Sequence, residues 1–140
     1  MKFQLCYASE ATASDKHILN DLRNILNEAR HFNIKHNVHG ALFFADRYFF
    51  QCIEGEQSIV ENLVVKLYRD SRHMDIRILS RNPIEQIHFS QWSMKYVSRN
   101  SQVQQFFRQK GFDYFEPLKL NEQDLPEFLT LLYDAKAVEV

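Results

Sequence analysis

Apolar residues in this chain switch between the two-residue repeat of a strand and the repeat of about 3.6 residues of a helix, and the order of the switches leaves few folds open. Phe3, Leu5 and Tyr7 alternate with Gln4, Cys6 and Ala8, which predicts a strand over residues 3–9. Ser14 offers an N-cap with Asp15 in the first turn, and Ile18, Leu22, Ile25 and Ala29 then recur at helical spacing to Asn33. Val38–Ala45 and Tyr48–Glu54 predict a hairpin turning at Asp46-Arg47, with Gly55 ending its second strand. A second helix is expected from Gln57-Ser58 to Arg69, with Ile59, Leu63, Val64 and Leu67 inward. Met74–Leu79 and Trp92–Val97 complete the strands, and Trp92, Met94 and Tyr96 are expected on one face. The order β-α-β-β-α-β-β predicts an α+β, ferredoxin-like fold: an antiparallel-type sheet with both helices on one face.

Residues 99–140 read as a helical extension. Ser101–Lys110 carries Val103, Phe106 and Phe107 and ends at Gly111. Asp124 with Glu127 resembles a capping box, Pro126 is tolerated in the first turn, and Leu125, Phe128, Leu129 and Leu132 make the apolar stripe. With no low-complexity linker and no internal repeat, the tail is expected to belong to the same domain, residues 99–140 forming a C-terminal helical cap packed on the far face of the sheet of the 1–98 domain.

Composition removes several functional classes. The chain has 17 basic and 18 acidic residues, so nothing in its charge attracts nucleic acid or a membrane surface. MKFQLCYASE lacks the apolar core of a signal peptide, and the expectation is a cytoplasmic protein. Cys6 and Cys52 form neither a disulfide framework nor a zinc spacing, and His36 with His39 has no acidic or thiol companion, so no metal is expected. With only 3 Gly against 12 Phe and 6 Tyr, the chain has no GxGxxG and no P-loop, so any nucleotide is held by other means.

The faces of the sheet single out a few polar residues. On the third strand either Phe49, Gln51 and Ile53 or Tyr48, Phe50, Cys52 and Glu54 turn to the helices. Glu54 is expected in water, which sends Gln51 inward beside Tyr7. A buried amide or phenol needs a partner, since an unsatisfied one costs roughly 1–3 kcal/mol. Asn33 extends the buried stripe of the first helix, and Lys66 shares a face with Ile59 and Leu63, with Asp70 one turn on. An amide-rich, nearly uncharged set of this kind suits a planar heterocycle with carbonyls and ring nitrogens. It does not suit hydrolysis, having neither a base–nucleophile pair nor paired carboxylates. Each residue also has a structural reading. Tyr7 could bond a backbone carbonyl, Gln51 could cap a strand end, Lys66–Asp70 could be a surface i,i+4 pair, and Trp92 and Met94 could be plain core.

At these residues the sequence resembles the BLUF family, the sensors of blue light using FAD. The resemblance covers residues 3–98. It is carried by Leu5-Cys6-Tyr7-Ala8-Ser9, Ala29-Arg30-His31-Phe32-Asn33, Gly40-Ala41-Leu42-Phe43-Phe44, Phe49-Phe50-Gln51-Cys52-Ile53-Glu54-Gly55, Asp70-Ser71-Arg72-His73 and Trp92-Ser93-Met94. The spacing also matches, with 18 positions from Asn33 to Gln51 and 41 from Gln51 to Trp92.

The resemblance implies non-covalent FAD, with FMN or riboflavin as substitutes, between the two helices. Tyr7, Ile25, Arg30, Asn33, Gln51, Lys66, Asp70, Arg72 and His73 would bind it, Asn33 at the ring and the last three by the ribityl-phosphate tail. Lys66 stands where relatives carry His or Arg, and Ala29 replaces a Ser found in some relatives. The resemblance further implies light-driven electron and proton transfer from Tyr7, followed by hydrogen-bond switching of Gln51 and a red-shifted signalling state. Trp92 and Met94 would relay the signal, and either could sit beside Gln51. Without enzymatic activity of its own, such a chain would regulate a partner protein, for example a transcription regulator, and a homo-oligomer is compatible with this. The competing readings are a light-independent ferredoxin-like module for a ligand or protein, and an acylphosphatase-like enzyme. The latter needs an Arg-rich phosphate loop that Glu10–Ser14 lacks.

Overall fold

The turn between β2 (His39–Ala45) and β3 (Tyr48–Glu56) is built from Asp46 (φ 52°) and Arg47 (φ 73°), the left-handed pair that matches strand twist in a two-residue hairpin. Neither is glycine, and long-range contacts hold both. Arg47 donates to the carbonyls of Ala11 (3.0 Å) and Ala13 (2.6 Å) and to Asp15 (3.0 Å), while Asp46 pairs with Arg99. The hairpin therefore fastens to the end of β1 (Lys2–Ala11).

This computed structural model describes residues 1–140. After β1, the chain forms α1 (Ile18–His36), the hairpin, α2 (Gln57–Tyr68), β4 (His73–Pro83) and β5 (Lys95–Val97). The tail adds α3 (Ser101–Gln109), short 3₁₀ turns at Pro117–Lys119 and Glu122–Asp124, and α4 (Leu125–Asp134). The strand order β4-β1-β3-β2-β5 is the ferredoxin-like arrangement with one extra edge strand. β1 pairs antiparallel with β3 and β4, and β2 with β3, but β5 runs parallel to β2, so the sheet is mixed rather than purely antiparallel. At Gly40 a Cβ would lie 2.1 Å from the Cys52 carbonyl oxygen, so only glycine lets β2 sit this close to β3.

Several local expectations move. α1 starts after His17 without a side-chain cap, so Ser14 is not its N-cap. It ends in the left-handed Asn37 (φ 55°), whose N–H bonds the Asn33 carbonyl. The last strand pairs only over Lys95–Val97. The capping box joins Asn121 with Asp124, not Asp124 with Glu127. Asn100 caps α3 by accepting from the Val103 N–H, and Gly111 follows it at φ 91°. No helix is long and apolar enough to cross a membrane.

The two faces of the sheet bury different material. Leu5, Tyr7, Leu42, Phe49, Ile53, Met94 and Tyr96 pack toward α1 and α2. Cys6, Phe43, Phe50 and Cys52 pack against Val103, Phe106, Phe107, Leu125 and Phe128 of the tail. Phe128 makes edge contacts with Phe50 (ring centroids 4.7 Å apart) and Phe107 (5.7 Å) and stacks on Phe106 (5.5 Å). The chain then crosses the sheet edge: Val138 N–H bonds the Tyr96 carbonyl (3.0 Å), and Val138 and Val140 pack on the α1 side.

Candidate functional site

Register places the site before any side chain is considered. Tyr7 on β1 lies opposite Gln51 on β3, and Gln51 lies opposite Leu42 on β2, which in turn adjoins Tyr96 on β5. Cross-strand partners share a face, so Tyr7 and Gln51 meet under the two helices. The Tyr7 hydroxyl donates to Gln51 Oε1, and Gln51 Nε2 donates to the Met94 sulfur at 3.6 Å. Gln51 is only 6% exposed, and burial, followed by the charge of Asp70, pushes the Tyr7 phenol well above its ordinary value. Tyr7 is therefore held neutral, as a donor.

A crevice of about 270 Å³ opens above this pair between α1 and α2. Tyr7, Ile25, Asn33, Gln51, Lys66, Asp70, Arg72 and His73, all singled out in the sequence, line it, as does Met94. Asn33 donates Nδ2 to the Ser93 carbonyl at 2.6 Å and keeps Oδ1 as an acceptor. Lys66 forms no pair with Asp70; its ammonium lies 4.7 Å from the Phe32 ring centroid. Asp70 belongs instead to Arg72, accepting from Nε (2.9 Å), NH2 (2.8 Å) and the backbone N–H (3.0 Å). Burial opposes ionisation of Asp70, but these bonds and the Arg72 charge outweigh it and hold its carboxyl below the ordinary value. Arg72 also forks onto Glu28 (3.0 and 3.1 Å), which raises its own value further. His73 bonds Ser9 Oγ through Nδ1 (2.8 Å), and burial lowers its pKa despite the facing charge of Asp70.

Two sequence expectations fail here. Arg30 does not line the crevice; its Nε donates to the Met94 carbonyl at 3.1 Å. Trp92 does not share a face with Met94 and Tyr96. It packs on the far side, near Phe89 and Tyr133, with the Lys95 ammonium 4.3 Å from its ring centroid. The cause is local. Residues 92–94 lie outside the strand ladder and are held by side chains from the neighbours: Arg30 on Met94, Asn33 on Ser93, and His39 Nδ1 on the Trp92 carbonyl (3.2 Å). Period-two spacing does not govern such a segment, and Met94 is the residue beside Gln51.

Glu54 corrects another expectation. It is fully buried on the far face, not in water. It accepts from Gln4 Nε2 (2.9 Å), the N–H groups of His88 and Phe89 (2.9 Å each) and His88 Nδ1 (2.7 Å). These bonds tie the loop before β5 to the middle of the sheet. Glu28, Phe32, Leu63 and Val64 also line the crevice. Helical spacing already turns Leu63 and Val64 inward, whereas Glu28 carries no such signal and is tied to the site by Arg72.

The donor set fits a flavin. A neutral phenol–amide couple at Tyr7 and Gln51, a free amide oxygen at Asn33 and a lysine without a carboxylate partner match a planar ring edge of carbonyls and nitrogens. The cysteines at the adjacent cross-strand pair, Cys6 and Cys52, are buried under the tail, where burial raises the Cys52 thiol, so they stay outside this chemistry.

The family model described as "BLUF: Sensors of blue-light using FAD" matches residues 3–95. The chain is 30% identical over 91 residues to the photoactivated adenylate cyclase subunit beta of Euglena gracilis, covering 64% of this chain and only about a tenth of that protein. Among solved structures it is similar to BlsA in its ground state, at 45% identity and a TM-score of 0.96 over 99% of this chain and 92% of the other. The BLUF protein BlrB in its dark state matches at 26% identity and a TM-score of 0.76, over 94% and 95%. The chain therefore belongs to the BLUF family of flavin-binding blue-light sensors, whose cofactor is FAD.

Proposed function

We propose that this protein is a blue-light photoreceptor in which Tyr7 supplies an electron and a proton and Gln51 rewrites its hydrogen bonds to make the signalling state. The buried Tyr7–Gln51–Met94 chain of hydrogen bonds is the observation that carries this reading. FAD, when bound, supplies a light-excited ring that accepts an electron and a ring edge that accepts a hydrogen bond. The ring edge would meet Gln51 and Asn33, the Lys66 ammonium would face a ring carbonyl, and Arg72 and His73 would lie by the phosphates. Reaching a phosphate requires Arg72 to exchange its contact with Glu28.

Tyr7 is suited to give up both particles together. Its phenol is buried without a carboxylate acceptor, so its proton moves only along the bond it makes, to Gln51 Oε1. Gln51 carries a donor and an acceptor on one planar group. Turning the amide over exchanges the atoms facing Tyr7 and Met94 with no change in net charge. The bond to the thioether sulfur is weak, so little opposes the turn on that side.

The output would run through β5. Met94 feels the Gln51 amide directly, and the next residue, Lys95, is on the opposite face with only 2% exposure. Its ammonium donates to the Tyr133 carbonyl (2.7 Å) in the last turn of α4. A shift at Met94 would therefore loosen α4 through Lys95 and the C-terminal segment through the Val138–Tyr96 bond. On this reading residues 1–98 are the flavin-binding domain and 99–140 the cap through which a regulatory protein is controlled. Relatives named as photoactivated or light-regulated cyclases support an effector protein as the target.

The test is optical. Purified protein loaded with FAD should show a reversible red shift of its flavin band under blue light, with no covalent adduct. A protein that binds no FAD, or binds it without a reversible shift, is a light-independent module instead.

A further inference from the structure

Arg72 is gripped by two carboxylates that come from different places. It stands in the turn between α2 and β4, and β1 holds that turn in place. The Thr12 N–H donates to the Arg72 carbonyl (3.1 Å) and the Thr12 hydroxyl to the Ser71 carbonyl (2.7 Å). With its backbone fixed, Arg72 offers one edge of its guanidinium, Nε and Nη2, to Asp70 (2.9 and 2.8 Å). The other edge, Nη1 and Nη2, donates in parallel to the two oxygens of Glu28 on α1 (3.0 and 3.1 Å).

The two carboxylates are not equivalent. Asp70 also accepts from the Arg72 backbone N–H, and its side chain is 21% exposed, so it anchors the guanidinium from within the turn. The Glu28 side chain is 65% exposed and has no hydrogen-bond partner other than Arg72. Leaving for water costs such a group little. The edge it occupies is the fork of parallel N–H groups that binds carboxylate and phosphate oxygens alike. Glu28 therefore holds the place that two oxygens of a phosphate would take.

Charge gives this contact a consequence for the ligand. The cations lining the crevice are Lys66 and Arg72, and the carboxylates of Glu28 and Asp70 offset them. The Lys66 ammonium lies over the Phe32 ring, which leaves Arg72 as the guanidinium available to a phosphate. A phosphorylated flavin must displace Glu28 to reach it, whereas riboflavin has the same ring and no phosphate and meets no such competition. We propose that Glu28 is a specificity-determining residue, an internal competitor for phosphate on Arg72 that holds down the preference for FAD over riboflavin. The inference rests on the flavin reading of the crevice and extends it to a residue of α1.

The experiment measures the dissociation constants of FAD and riboflavin for the full chain, freed of flavin, by titration calorimetry. Glu28→Gln should tighten FAD by about three- to tenfold and leave riboflavin within about twofold. Asp21→Asn removes the same charge two turns earlier on α1, from a residue without a bond to Arg72, and should leave the FAD-to-riboflavin ratio unchanged. The inference is overturned if Glu28→Gln leaves FAD binding unchanged or weakens it, or if riboflavin tightens equally. It is also overturned if Asp21→Asn matches Glu28→Gln, because the effect would then come from the general field and not from the contact. A wild type that binds neither flavin overturns the flavin reading itself, and this inference with it.

Discussion

Two neighbouring residue pairs on the same two strands have opposite surroundings. Tyr7 and Gln51 face α1 and α2 and are joined by hydrogen bonds at the base of an open crevice. Cys6 and Cys52, one residue away in each strand, face a cluster of phenylalanines from the tail. Hydrogen bonds can exchange with little repacking, whereas a dense aromatic cluster has few alternative arrangements of similar energy. Exchangeable hydrogen bonds lie on one face and a dense aromatic cluster on the other, and the segment Met94–Lys95 at the start of β5 touches both.

Phe128 is the centre of the aromatic face. Phe128→Ala should destabilise the fold by about 3–5 kcal/mol, because its ring joins Phe50, Phe106 and Phe107 and the void cannot close. Gln51→Leu, by contrast, should cost no more than about 1–3 kcal/mol, the penalty of leaving the Tyr7 hydroxyl unpartnered, while removing the photoresponse. Chemical denaturation of both variants checks the pair. Equal losses of stability would mean that the two faces are not differently built.

Lys95→Met tests the link between them. Losing the bond to Tyr133 is offset by no longer burying an ammonium, whose pKa burial already lowers, so stability should change by about 1 kcal/mol or less. The light-induced change in hydrogen exchange over 125–134 should nevertheless be lost. If that change persists at wild-type size, the signal does not travel through Lys95.

These contrasts show which parts of the fold were legible in the sequence. β1, α1 and the hairpin were, because their apolar repeats are long and undiluted. Gln51 faces the helices as alternation requires, although Glu54 on the other face is buried rather than in water. Glu54 is buried because backbone N–H groups of the irregular 84–90 loop reach it, and no local pattern announces such donors. Trp92 was misplaced for a similar reason: the segment before β5 is positioned by Arg30, Asn33 and His39 rather than by strand pairing. Asp70 and Arg72 are two residues apart in the turn between α2 and β4, yet the third member of their network, Glu28, lies on α1. Within the site, the residues were legible and their partners were not.

The smallest expected effect concerns pH. His73 is buried beside Ser9 and its pKa lies below the ordinary 6.5, mainly through desolvation. The unfolded chain therefore binds a proton more readily than the folded one. Stability from this residue is complete above pH 6.5 and is lost as pH falls through that value toward the lower folded-state one. The slope is at most about 1.4 kcal/mol per pH unit. His73→Gln, which can still bond Ser9, should flatten thermal stability measured between pH 7 and pH 5. An unchanged slope would place the titrating group elsewhere.

The central claim is that Tyr7 starts the switch and Gln51 records it. The light-minus-dark absorption spectrum of FAD-loaded Tyr7→Phe, taken beside the wild type, tests it most directly. Both proteins should bind flavin normally, with a reversible red shift in the wild type and none in the variant. A red shift of wild-type size in Tyr7→Phe would contradict it.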